Sequence, residues 1–259
     1  MRMMKKVLGT VTVLALSVSL LAGCGSTAAS PVSSAASTAA ESTTSSVVSE
    51  TTSAAADENA AAAAQLLNDL TGSYQELWPV ILADEYQQTW LDDCTALVGE
   101  ENAEAAFEKL SSMVTSDVYG EDAVEAYANG GGAYFCGFTN SLAILTFDGE
   151  TSTISGTDKD GNVLFSHTYH YIGMEPVRGL YEFQSDDADS GEFTYFFLAP
   201  DTSAETYHIE FRYGSDAEAL SQYDTGEYAY WLASGISTDC DQTMIDNCIE
   251  LFCTENLAG

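Results

Sequence analysis

Three kinds of hydrophobic pattern follow one another along the chain. Val7 to Leu21 is an unbroken apolar run behind the basic residues Arg2, Lys5 and Lys6. Between Asp57 and Asn129 apolar positions recur at the spacing of a helix face. Leu66, Leu67 and Leu70 line an alanine-rich segment from Ala60 to Leu70, and Tyr86, Trp90, Leu91 and Cys94 do so within Ala83 to Val98. Ala103, Phe107, Leu110 and Val114 repeat the pattern from Glu100 to Val114, with Gly72 and Pro79 as punctuation between segments. After Gly130-Gly131-Gly132 the pattern becomes alternating and rich in aromatic and β-branched residues, as strands require. It predicts strands at Tyr134–Phe138, Leu142–Phe147, Thr151–Thr157, Val163–Ile172, Leu180–Gln184, Glu192–Leu198 and Thr206–Tyr213. Asp148-Gly149 and Asp160-Gly161 are hairpin signals between them. Helices are expected from Asp216 to Tyr223 and from Asp239 to Asn256. Sequential strands joined by short turns imply a mainly β (α+β) fold, either an antiparallel up-and-down barrel or a strongly curled sheet.

The first run is too short to span a bilayer comfortably and lacks a basic stop on its far side, so residues 1–23 read as a secretion signal. It closes on Leu21-Ala22-Gly23-Cys24, which resembles a bacterial lipobox and makes Cys24 the expected lipidated first residue of a mature chain anchored on the outer face of the cell membrane. Residues 24–56 are almost entirely Ser, Thr, Ala and Val and are expected to be a solvated tether. A flexible tether of that length reaches roughly 30 Å. Residues 57–129, a helical segment, and residues 130–259, the strand-rich region with its helical tail, are expected to fold as one unit.

Charge narrows the partners. The chain carries 40 acidic against 7 basic residues. Beyond the signal only Lys109, Lys159, Arg178 and Arg212 are basic. Such a chain repels phosphate backbones, which argues against nucleic acid, and it favours cations. Beyond Cys24 lie Cys94, Cys136, Cys240, Cys248 and Cys253. Outside the cytoplasm these allow two disulfides and one free thiol. No C-x-x-C occurs, so neither a thioredoxin-like site nor a zinc ribbon is written here. Cys240 and Cys248 are about two helical turns apart and cannot bridge each other if their segment is helical. Any bridge is expected to tie the final helix to another element, with Cys94 the candidate partner.

Between Thr168 and Phe211 a longer pattern emerges. Thr168-Tyr169-His170-Tyr171-Ile172-Gly173 is followed by Arg178-Gly179-Leu180-Tyr181-Glu182-Phe183. Asp187-Ala188-Asp189-Ser190-Gly191-Glu192-Phe193-Thr194-Tyr195, Ala199-Pro200 and Tyr207-His208-Ile209-Glu210-Phe211 come next. In order and spacing this resembles the ZinT (YodA) family of zinc-binding, lipocalin-like domains. Gly72 to Pro79 resembles the family's opening segment, with Tyr74 where a Trp is usual. The resemblance implies a calycin barrel, preceded by helices and closed by a C-terminal helix, that holds zinc near its mouth. The family's ligands are an isolated His followed further along by H-x-H. His208 matches the last of these; Thr206 stands in the middle position, and the segment of the first is shortened.

If residues 206–213 form a strand, Thr206, His208 and Glu210 share one face. His208 and Glu210 then offer one imidazole and one carboxylate, with Glu205 or Asp201 arriving from the preceding loop, a donor set that zinc accepts. His167 and His170 point to opposite faces of their strand and cannot chelate one ion together; His167 reads as packed and hydrogen-bonded, His170 as solvent-facing. Asp158-x-Asp160-Gly161 and Asp187-x-Asp189-x-Gly191 echo calcium loops but lack the distant Glu of an EF-hand, and read as turns. No G-x-S-x-G, H-E-x-x-H or phosphate-cradling loop is present, so no enzyme is expected. The expected function is binding of a divalent metal, zinc, for capture or delivery to a metal-transporter component. The alternative is a family member that has lost its metal and binds a small apolar ligand or another protein.

Overall fold

A computed structural model of the chain describes residues 47–258. The signal, Cys24 and most of the expected tether lie outside the described residues. Helix α1 spans Val47–Asp69, so helix begins within the segment expected as a tether. Runs of alanine are strong helix formers, and here they extend the element that Leu66 and Leu70 anchor.

Strands β1 (Gly72–Glu76), β2 (Ile144–Asp148), β3 (Thr153–Thr157), β4 (Val163–Met174), β5 (Tyr181–Ser185), β6 (Tyr195–Leu198), β7 (Ile209–Gly214) and β8 (Ala233–Ser237) close into an antiparallel barrel in sequential order. Helices α2 (Leu77–Ile81), α3 (Gln87–Val98), α4 (Glu100–Ser112) and α5 (Glu121–Ala128) separate β1 from β2. Short helices α6 (Ser203–Thr206) and α7 (Ala217–Leu220) flank β7, and α8 (Gln242–Leu257) ends the chain. This is the barrel that the alternating pattern and the family resemblance imply.

Three expectations are corrected. Tyr134–Phe138 is not a strand; Phe135 makes only isolated bridges to Thr115 and Trp231. Gly72–Glu76, which begins at a break between helices in the segment read as helical, is a strand, and Ala233–Ser237 was not expected as one. These two pair with each other, Tyr74 opposite Ser237 and Glu76 opposite Gly235, and so close the sheet. Neither shows alternation: in β1 only Tyr74 is buried, and β8 is buried on both faces. Ala233 joins the barrel core, while Ile236 packs beneath the helices. Small residues suit β8: a Cβ on Gly235 would come within 3.1 Å of the Ile209 side chain.

The barrel interior is a close-packed set of rings. Phe196, Phe211 and Tyr213 stack at 5.3 to 6.4 Å, and Trp231 meets Tyr213 edge-on at 5.1 Å. Offset and edge-on pairs add to the value of burying each ring. Ala63, Leu66, Leu67 and Leu70 of α1 pack against the same core. A second core lies outside the barrel, where Trp90 and Cys94 of α3, Leu110 of α4 and Ile245, Ile249 and Cys253 of α8 pack around Ile81 and Ile236. Within it the Trp90 indole N–H donates to the Ile81 carbonyl at 2.7 Å, so the one polar atom of a buried ring is satisfied.

Arg212 explains how the chain beyond β7 is held. It points away from the ring core and is fully buried. Its guanidinium donates to the carbonyls of Leu220, Gln222 and Tyr228 and lies 4.4 Å from the centre of the Tyr223 ring. One planar fork thereby collects the carbonyls of the connection from α7 to β8.

Helix α1 meets the β2–β3 turn at Gly149, where a Cβ would fall 2.4 Å from the Asn68 Cα. Backbone cannot yield as a side-chain tip can, so Gly149→Ala is expected to cost about 1–3 kcal/mol. Urea unfolding checks this; a midpoint equal to that of the unaltered chain contradicts this packing of α1 on the barrel.

Candidate metal centre

The candidate residues lie where the chain leaves β6 and enters β7. Thr202 and Glu205 form a capping box at the start of α6: the Glu205 carboxylate accepts the Thr202 N–H at 3.5 Å. That cap makes residues 203–206 a helical turn instead of strand. Tyr207 then takes a left-handed conformation, φ 64°, and His208 sits in a bend before β7 begins at Ile209. The expected strand face shared by Thr206, His208 and Glu210 is therefore corrected: only Glu210 is on the strand. Its neighbours Ile209 and Phe211 belong to the ring core, so Glu210 projects from the outer wall rather than into the barrel mouth.

Thr206, at the family's middle His position, serves as a clamp. Its carbonyl accepts from His208 Nδ1 at 2.6 Å, and its hydroxyl lies 2.6 Å from the His208 carbonyl and 3.1 Å from that of Thr202. A carbonyl can only accept, so Nδ1 carries a proton. The neutral ring then presents the Nε2 lone pair, the atom a metal would take. Nε2 is 3.9 Å from Glu210 Oε1, with the two side chains 20% and 43% exposed. They form a loose pair that solvent reaches.

Around this pair the electrostatics are mutual. Burial alone would lower the proton affinity of His208, but the Cys248 sulfur and the Glu210 carboxylate beside the ring outweigh it and raise the pKa well above its ordinary value. Glu210 is pushed up by burial yet ends below its usual range, because His208 and Arg178 favour its charge. Asp201 is raised by burial and by Glu205 and Glu210, with His208 opposing. Glu255 on α8 is raised by burial, eased by His208, and raised again by Glu210 and Asp201.

The structure thus brings His208 and Glu210 into contact and places Asp201 within their field, with Glu205 beside Asp201. The Glu205 carboxylate is turned back to its own helix start. Cys248 and Glu255 join from α8, more than a turn apart on a helix whose sequence marks neither. The T-x-x-E of Thr202 to Glu205 is a legible helix signal that predicts α6. Among the described residues no three His, Cys, Asp or Glu side chains are gathered closely enough to hold a metal ion.

The other candidates resolve into local structure. His167 bonds Asp187 at 2.7 Å and stacks on Phe165, and His170 bonds Asp186 at 2.6 Å. Asp158 accepts the N–H groups of Asp160 and Asn162 at 2.9 and 2.8 Å, so its carboxylate organises a hairpin turn.

Comparison with solved structures finds the zinc-bound ZinT-like domain of Streptococcus pneumoniae AdcA, with TM-score 0.45 and 15% identity over 71% of this chain and 89% of that one. Zinc-bound AdcA from the same organism is found with TM-score 0.42 and 14% identity, covering 70% of this chain and 34% of that one. This chain therefore spans about a third of AdcA. No protein-family profile matches the sequence, and no curated protein matches it.

A raised His208 pKa has a definite sign in stability. The imidazolium favours the folded state fully below about pH 6.5, and that benefit is lost as pH rises through the higher folded value. His208→Gln is expected to flatten the fall of the urea midpoint above pH 6.5. Parallel pH profiles for the variant and the unaltered chain contradict the pairing with Glu210.

Proposed function

We propose that this chain is a lipid-anchored, extracytoplasmic binding protein for a divalent metal, zinc by its donor chemistry, acting in capture or in delivery to a transporter component. The observation that carries the reading is the His208 ring, fixed at Nδ1 by a carbonyl and offering Nε2 beside a carboxylate. An imidazole held through its other nitrogen is the usual arrangement of a metal-ligating His. Asp201 and Glu255 supply carboxylates whose ionisation Glu210 opposes, with Glu205 beside Asp201, and a cation among them would offset that repulsion. Zinc accepts such N/O sets in tetrahedral geometry. Because the donors are not gathered beforehand, loading draws the carboxylates in around Nε2. The anchor and the location rest on the leader and on Leu21 to Cys24. The reading is of a binding protein, without catalysis.

One observation favours a second reading, a barrel that has lost its metal and serves as a binding surface for another protein: the lack of three gathered donors among the described residues. The two readings part in a calorimetric titration of the purified chain with zinc at physiological ionic strength, where diffuse screening by carboxylates is suppressed. Micromolar or tighter binding is expected, abolished in His208→Ala and retained in His170→Ala. Heat equal to that of buffer supports the metal-free reading. Since the metal displaces a proton from His208, affinity is also expected to rise with pH, with proton release seen as a dependence of the heat on the buffer.

A further inference from the structure

The geometry points to a covalent tie that lies apart from the candidate metal centre: Cys94 of α3 and Cys253 of α8 form a disulfide. Their Sγ atoms are 3.9 Å apart, in contact across the interface of the two helices. Both residues are fully buried in the outer core, beside Trp90, Ile249 and Phe252. Neither thiol is a ligand of the His208 cluster. Rotation about the Cα–Cβ bonds is the motion that brings two contacting sulfurs to bonding distance, and Cys side chains have staggered alternatives for it.

The chemistry needs a disulfide donor, such as oxidised glutathione or a thiol–disulfide oxidoreductase. The Cys94 thiolate attacks the donor disulfide, forming a mixed disulfide and releasing one donor thiol. The Cys253 thiolate then attacks the Cys94 sulfur and releases the second. Two protein thiols and one donor disulfide become one protein disulfide and two donor thiols. Burial raises the pKa of both thiols, disfavouring the attacking thiolate once α8 has docked. The bond therefore forms before α8 is fully seated, and afterwards resists reductants in the folded protein. It ties the helical layer to the end of the chain across a separation of 159 residues, a long loop whose closure removes much of the unfolded chain's freedom.

The test refolds the full chain with and without a glutathione redox pair, alkylates remaining thiols in denaturant and digests at glutamate. This cleavage isolates Cys94 in Tyr86–Glu100 and Cys253 in Leu251–Glu255, away from Cys240 and Cys248. The expected result is a linked pair of these two peptides that separates on reduction, with a thermal midpoint higher than the reduced protein's by on the order of 10 °C. Cys94→Ala and Cys253→Ala each abolish the reductant-sensitive difference, whereas Cys240→Ala leaves it intact. Recovery of Cys94 alkylated, or bonded to any peptide other than Leu251–Glu255, overturns the inference. The peptide map of the unaltered chain decides the matter even if an alanine variant fails to fold.

Discussion

The chain enters β7 through a capped helical turn, a left-handed Tyr207 and a hydrogen bond of 2.6 Å from His208 Nδ1 to the carbonyl two residues before it. That short path fixes the orientation of an imidazole on the outer wall of a closed barrel. Had the strand begun at Thr206, the ring would stand on a regular sheet face with both nitrogens free to rotate. With Nδ1 spent on backbone, Nε2 has a single direction, and that direction meets Glu210. The barrel matters to this arrangement mainly as a rigid footing. Ile209, Phe211 and Tyr213 lock the inner face of β7 into the ring core, so the outward position of Glu210 cannot slip without turning the whole strand over.

Scarcity of positive charge gives the same region its balance. Two of the four basic residues beyond the signal, Arg178 and Arg212, face Tyr223 at 4.4 Å each. Arg212 spends its Nη1 and Nη2 donors on carbonyls and organises the connection to β8. Arg178 reaches the Tyr134 hydroxyl at 3.2 Å and favours the charged form of Glu210. Asp201 and Glu255 have only His208 on their side: burial raises both, Glu205 and Glu210 raise Asp201 further, and Glu210 and Asp201 raise Glu255. An added cation would relieve that cost, which is the reason for proposing one at this cluster.

Much of the barrel was legible because its strands alternate. From Leu142 to Tyr213 the rings of Phe165, Tyr169, Phe183, Phe196 and Phe211 all reach the interior, as their spacing required. The closing strands were not, for opposite reasons. In β1 only Tyr74 is buried, so there is too little pattern; in β8 both faces are covered, so there is no alternation to see. At the candidate site, His208 and Glu210 were readable as neighbours, and they touch. Their geometry was misread because the T-x-x-E cap of Thr202 to Glu205 outranks the β-propensity of Thr206 and Tyr207. Glu255 and Cys248 arrive from a helix far along the chain, and only tertiary packing brings them near.

With three histidines in the whole chain, the imidazole nitrogens can be followed individually. The most direct measurement is a long-range proton–nitrogen correlation spectrum of 15N-labelled protein, at a pH where His208 is neutral, before and after one equivalent of zinc. The expected result is His208 protonated at Nδ1 without metal, and a large shift confined to its Nε2 when zinc is added, with His167 and His170 unchanged. A His208 ring that carries its proton on Nε2, or whose nitrogens do not respond to zinc, contradicts the account.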